Sequence, residues 1–209
     1  MKATVVIPAY NEEKNITSVV SRLRKISRYF DIIVVDDGSS DNTTDAAKMA
    51  GARVLTLKKN QGKANACIVG SKIARCEKII FIDADLQHIP EDIPKFVSAL
   101  ESCDLAIGVR SMSRIPVQRR IANVVARRLV PGDFSDVLCG FRAVRKSCLK
   151  KMQFKGRGYE FEVEMLIFAK NHGLRIIEVP VNVSYESYQG MSMLDSAKLL
   201  LFILRNRSN

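Results

Sequence analysis

Two carboxylates, Asp83 and Asp85, flank a small residue, Ala84, directly after the apolar run from Lys78 to Ile82. On a strand end, residues i and i+2 point to the same side. The two acids can then share one ligand, and the alanine leaves room for it to approach. A site with few protein oxygens suits Mg²⁺ or Mn²⁺, whose remaining positions go to water and a substrate diphosphate. Gln87 adds a neutral oxygen, so Asp83, Asp85 and Gln87 are the candidate metal ligands. An ordinary acidic turn is the alternative for an isolated triplet, and the position at the end of a strand favours the metal. Asp36 and Asp37 end a second apolar run, where a carboxylate can accept hydrogen bonds from a base imide or a ribose hydroxyl. Turn chemistry around Gly38 explains the same residues and is compatible with that role. Gly62-Lys63, ahead of a helical segment, places a lysine that either reaches a phosphate or stays exposed.

Charge points the same way. The 209 residues carry 33 Lys and Arg against 22 Asp and Glu, a net charge of +11. Arg110, Arg114, Arg119, Arg120, Arg127 and Arg128 fall in one stretch with no acid until Asp133. Nucleic acid, an anionic membrane surface and phosphate-rich substrates all fit such an excess. The stretch lacks interleaved aromatic residues, which argues against nucleic acid. GxGxxG, GxxxxGK[ST] and GxSxG motifs are missing, and His88 and His172 are too isolated for a histidine metal site. The five cysteines are scattered without CxxC spacing and read as free thiols of a reducing compartment. No run of about 18 apolar residues predicts a spanning helix, and the start, MKATVVIPAY, does not read as a signal peptide.

These residues need a frame that brings them together. Apolar runs from Thr4 to Pro8, Asp31 to Val35, Arg53 to Leu57, Lys78 to Ile82 and Asp104 to Val109 alternate with helical segments. The first helix shows the helical period at Ile16, Val19, Val20, Leu23 and Ile26, with Asn11 as its expected cap. Strands apolar on both faces predict an α/β fold, a doubly wound, mostly parallel sheet covered by helices on both sides. Ligands then bind beyond the carboxyl ends of the strands, where strand order reverses, and the polar clusters fall at those ends. In the second half, Ile115 to Val130 reads as a basic helix with Val117, Ile121, Val124, Val125 and Leu129 as its apolar residues. Gly140 to Val144 reads as a strand, Tyr159 to Asn171 as a helix, Leu174 to Val183 as an edge strand holding Pro180, and Ser196 to Arg207 as a last helix. One domain spanning 1–209 is expected, large enough to bury roughly 70% of its unfolded surface.

The segments VVIPAYNEE, VVDDGSSDNT, GKANA, IDADLQHIPED and SDVLCGFRA, in this order, resemble the family 2 glycosyltransferases of GT-A fold. IDADLQHIPED and YEFEVEML are similar to the branch of polyprenol-phosphate sugar transferases that includes dolichol-phosphate mannosyltransferase. The resemblance implies a nucleotide-sugar donor of the GDP-mannose or UDP-glucose type, with Mg²⁺ or Mn²⁺ as cofactor. It places Pro8, Tyr10 and Glu12 beside the base. Val35, Asp36 and Asp37 fall at base and ribose, and Asp83, Ala84 and Asp85 at ribose, diphosphate and metal. Arg110 is placed at the diphosphate or acceptor phosphate, and Asp136 at the transferred sugar. Arg120 and Asn123 resemble the basic segment over the acceptor. Near the C-terminus the branch carries an Arg and then G-x-S-K. Here Gly190 and Ser192 match, Met193 stands at the Lys, and Tyr185 or Glu186 stands near the Arg. Arg114 and Arg119 are cations that can replace the missing ones.

The expected reaction is a one-step inverting displacement onto a polyprenyl phosphate. Such an acceptor needs no general base, because its second pKa lies near 6. A saccharide or protein hydroxyl acceptor, with Asp136 as base, is the first alternative. A regulatory subunit that binds nucleotide sugar without turnover is the second. A lipid acceptor implies a cytoplasmic chain lying peripherally on the cytosolic membrane face. The Arg-rich segment and the stretch 191–207 are the expected contacts, and core packing is an equal alternative for the latter. Oligomeric state is not legible.

Overall fold

The computed structural model describes residues 2–111, 115–154 and 160–184. Among the described residues, seven strands form one sheet in the order β3-β2-β1-β4-β6-β5-β7. The strands are β1 (Thr4–Ala9), β2 (Asp31–Asp36), β3 (Arg53–Thr56), β4 (Lys78–Phe81), β5 (Leu105–Arg110), β6 (Arg142–Arg145) and β7 (Ile176–Val181). β6 runs antiparallel between β4 and β5, and the other pairings are parallel. β7 forms an edge, which accommodates Pro180 because its missing N–H leaves no ladder bond unmade.

Alternation along the buried strands divides the core into two layers. Val6, Ile33, Val35, Ile79 and Phe81 face one side, where they meet α3 (Lys63–Lys72), α5 (Val117–Leu129) and α7 (Glu160–Asn171). Val5, Ile7, Ile32, Val34 and Ile80 face the other, against α1 (Ile16–Ile26), α2 (Thr43–Met49) and α4 (Ile93–Ala99). A short α6 (Lys146–Leu149) follows β6 directly. The sheet grows from β1 in both directions, so the crevice expected at the reversal of strand order opens between the ends of β1 and β4.

Two local expectations change. Asn11 does not cap α1, which begins at Ile16 after Asn15. It sits instead at φ +55°, and its Oδ1 accepts from the Ser40 amide at 2.9 Å, tying the loop after β1 to the loop after β2. The segment from Pro90 divides into a 3₁₀ turn, Pro90–Asp92, and α4. α5 buries its small residues rather than its branched apolar ones. Ala122, Asn123, Ala126 and Val130 pack inward, while Val117, Ile121 and Val124 are exposed. Small residues let this helix lie close to the layer beneath it. The expected helix from Ser196 to Arg207 lies outside the described residues.

α3 approaches the sheet at Gly70. A Cβ there would stand 2.5 Å from Val6 Cγ1 and 2.9 Å from Val35 Cγ2. Gly70→Val is expected to cost about 1–3 kcal/mol through overpacking, read as a lower denaturant midpoint at unchanged slope.

Candidate active site

A cavity of about 290 Å³ lies at the carboxyl ends of β1, β2, β4 and β5. Pro8, Tyr10 and Glu12 line it from the loop after β1, and Asp83, Ala84 and Asp85 from the loop after β4. Asp37, Lys63, Arg110 and Arg119 complete the expected residues on its wall. The clusters that the sequence spreads over more than 100 positions therefore meet in one place.

Asp83 and Asp85 are in unequal environments. Burial opposes ionisation of Asp83, but the Lys63 ammonium beside it, with His88 and Arg119 nearby, brings its pKa to about 2. For Asp85, burial and then the charge of Asp83 push the carboxyl above its ordinary value. One Asp85 oxygen accepts from the Gln87 amide at 3.0 Å. Glu12 is likewise raised, first by burial and then by Asp85 and Asp83, while Asn15 donates to it at 2.8 Å. Several carboxylates thus crowd one corner of the cavity.

Lys63 does not reach outward for a phosphate. Its Nζ lies 2.6 Å from Asp83 Oδ1 and 2.9 Å from Glu162 Oε1. Burial would lower its pKa, but the two carboxylates outweigh that and hold it well above the usual lysine value. Glu162 is a site residue whose burial the sequence did not disclose. Of the three acids at the start of α7, it alone is buried, at 1% exposure. Gly140 leaves space for this cluster: a Cβ there would meet Lys63 Nζ at 2.5 Å and Asp83 Oδ2 at 2.8 Å. Arg142, fully buried beneath, donates to the carbonyls of Cys139 at 2.8 Å and Val137 at 2.6 Å and to that of Glu162 at 2.5 Å.

Other expected residues act at one remove. Val35 is fully buried in the core and does not line the cavity. Asp36 braces its own turn, accepting from the Ser39 amide at 2.9 Å and from the Thr44 hydroxyl. Asp37 accepts from the Gln61 and Gly62 amides at 2.8 and 2.7 Å, fixing the loop that launches α3. Gln87 is buried and does not line the cavity: its Oε1 accepts from Arg119 at 3.2 Å, and its Nε2 has no partner among the described residues. Asp136 is fully buried and locked onto Arg110, with Nε to Oδ2 at 2.7 Å and Nη2 to Oδ1 at 2.9 Å. It aims the guanidinium that faces the cavity and does not line the cavity itself. Asn123 is also buried: its side chain donates to the Ser135 carbonyl at 3.1 Å and accepts from the Val137 amide at 2.9 Å. From this fully buried position it holds the loop carrying Asp136 and does not line the cavity. Arg120 is exposed, with Nη2 3.4 Å from the Ile115 carbonyl. Arg114 and Ser192 lie outside the described residues, as do Tyr185, Glu186, Gly190 and Met193.

His88 lines the cavity with its Nε2 3.6 Å from Cys139 Sγ and its Nδ1 3.6 Å from Asp83 Oδ2. Burial outweighs the attraction of Asp83 and lowers its pKa from 6.5 to about 4. The unfolded chain takes up a proton on this ring below about 6.5, whereas the folded chain resists until about 4. Stability therefore falls as pH drops through that window, by about 3 kcal/mol in total. Denaturant titrations at pH 7 and pH 4.5 should show this loss, and His88→Asn should flatten the slope between them.

The profile of Glycosyl transferase family 2 matches residues 4–153. A dolichol-phosphate mannosyltransferase of Pyrococcus furiosus is 33% identical over 86% of this chain and 56% of its own. The UDP-N-acetylglucosamine–dolichyl-phosphate N-acetylglucosaminyltransferase of Methanococcus voltae is 33% identical over 88% of this chain and 86% of its own. Among solved structures, glucosyl-3-phosphoglycerate synthase of Mycobacterium tuberculosis, in complex with Mg²⁺ and UDP, superposes with a TM-score of 0.83. It is 26% identical and covers 99% of this chain and 79% of its own. The sheet, the cavity at its carboxyl edge and these similarities lead to one conclusion: the chain belongs to glycosyl transferase family 2 and is a glycosyltransferase.

Proposed function

We propose that the chain transfers a hexose from a nucleotide sugar to a polyprenyl phosphate, with Mg²⁺ or Mn²⁺ as cofactor, at the cytosolic face of a membrane. The observation that carries this reading is the Asp83–Asp85 pair at the crevice between β1 and β4, with Arg110 and Arg119 on the same cavity wall. The donor set fits a hard divalent cation. One carboxylate is held ionised, and its neighbour is raised by burial and by that charge, a repulsion that a cation relieves. Asp83 and Asp85 would hold the ion. When bound, it supplies positive charge to the departing diphosphate.

The protein's own groups supply the rest. Arg110, fixed by Asp136, and Arg119 present guanidinium charge where negative charge develops or where an acceptor phosphate sits. Tyr10 and Pro8 offer a partly apolar wall for a nucleobase, and Asp37 lies beyond them at the end of β2. The state of Asp136 supports a phosphate acceptor. Both Asp136 oxygens accept from Arg110, and the carboxylate is buried away from the cavity, so the expected base is not placed to meet a hydroxyl there. A phosphate acceptor is its own nucleophile. The relatives from P. furiosus and M. voltae are named for dolichyl phosphate acceptors, which supports this choice.

Glycolipid formation from GDP- and UDP-sugars, polyprenyl phosphate and Mn²⁺ tests the reading. Asp85→Ala is expected to reduce the rate by at least about 100-fold. With the wild type, kcat/KM should rise with pH through about 6 as the acceptor phosphate loses its second proton, and Asp136→Asn should keep that limb. An unchanged rate in Asp85→Ala contradicts the metal role. Loss of the limb in Asp136→Asn contradicts the phosphate acceptor.

A further inference from the structure

Lys63 occupies a place on Asp83 that a divalent cation would take. Its Nζ stands 2.6 Å from Asp83 Oδ1 and 2.9 Å from Glu162 Oε1, so one ammonium serves two carboxylates. The two seats differ. Asp83 is half-buried and lines the cavity, whereas Glu162 is buried behind the cavity wall. Glu162 Oε2 has no hydrogen-bond partner among the described residues. The buried Arg142 directs its guanidinium at the carbonyls of Cys139, Val137 and Glu162, not at this oxygen. A buried carboxylate oxygen left without a donor is costly, and a donor that arrives in another state of the site accounts for it. A lysine ammonium carries three donors on a flexible stem of four carbons. Gly140 leaves its path open, since a Cβ there would stand 2.5 Å from Nζ.

We propose that Lys63 is a displaceable counter-ion, and that Glu162 is the seat to which its ammonium withdraws when a divalent cation binds Asp83. The inference rests on the metal reading above and gives Glu162 a part in it, as a positioning residue that acts through Lys63. An ammonium and a divalent cation on one carboxylate repel each other, and the repulsion falls with distance. As Nζ leaves Asp83 it gains Oε2 as a second acceptor on Glu162. The exchange leaves no buried charge unpaired: Asp83 passes to the cation, and Glu162 keeps the ammonium. In the empty site the same ammonium keeps Asp83 paired. The hold on the cation is then set by the difference between the two seats.

Binding of Mn²⁺ to the full chain with a nucleoside diphosphate, read from the paramagnetic resonance of free Mn²⁺, tests this together with a crystal structure of that complex. In the complex, Nζ is expected more than about 3.2 Å from Asp83 and within that distance of both Glu162 oxygens. Glu162→Gln keeps the shape and removes the charge of the seat. It should weaken Mn²⁺ binding at least about tenfold, because the ammonium then stays on Asp83. The double variant Lys63→Met/Glu162→Gln removes competitor and seat together and should bind Mn²⁺ at least as tightly as the wild type. A purely structural Glu162 would lower the melting temperature of Glu162→Gln and leave its Mn²⁺ affinity unchanged, which overturns the inference. So does a complex with Nζ still on Asp83, or a double variant as weak as Glu162→Gln. Those outcomes with normal wild-type binding sink the displacement alone. A wild type that binds no Mn²⁺ sinks the metal reading of Asp83 and Asp85 as well.

Discussion

The site depends on one half-buried ammonium. Lys63 stands between Asp83 and Glu162 and is the reason that two acids can sit so close under the cavity floor. Removing the lysine would leave the buried Glu162 carboxylate without its countercharge. Three parts of the fold converge to supply this contact: Lys63 opens α3, Asp83 ends the run after β4, and Glu162 sits in the first turn of α7. Gly140 supplies the missing volume on the fourth side. With Asp83 held as an anion, the neighbouring Asp85 feels its charge, and the corner becomes one that a divalent cation suits.

A second pair supports the cationic part of the cavity. Asp136 grips Arg110 through both oxygens, and Asn123 of α5 pins the loop that carries Asp136. The position of the cavity guanidinium is therefore set through the same helix whose outer face is apolar and basic. Arg119 joins these parts, donating to Gln87 in the loop after β4. α5 links the acidic corner, the cationic wall and the outer surface in one rigid element.

The sheet and the cavity were largely legible in the sequence, for a physical reason. Strands buried on both faces have to be apolar throughout, and the polar residues at their ends stand out against that background. Asp83-Ala84-Asp85 and Asp36-Asp37 are legible in this way. The exchanged roles were not. Lys63 next to a glycine reads the same whether it meets a phosphate or a carboxylate, and only the packing of α7 brings Glu162 to it. Asp136 carries no local sign that Arg110, 26 positions away, will occupy both its oxygens. In α5 Ala122 and Ala126 pack inward while Val117, Ile121 and Val124 stay exposed, a division that the apolar spacing alone does not disclose.

The central claim is that Asp83 is held ionised so that Asp85 completes a cation site. Carbon-13 NMR of the two side-chain carboxyls, titrated downward from pH 7 with and without Mg²⁺ and a nucleoside diphosphate, addresses it directly. Without metal, Asp83 should stay ionised throughout the folded range and Asp85 should titrate above the ordinary value of about 3.9. With metal and nucleotide, the Asp85 midpoint should fall below that value. Two ordinary midpoints that Mg²⁺ leaves unmoved would contradict the account.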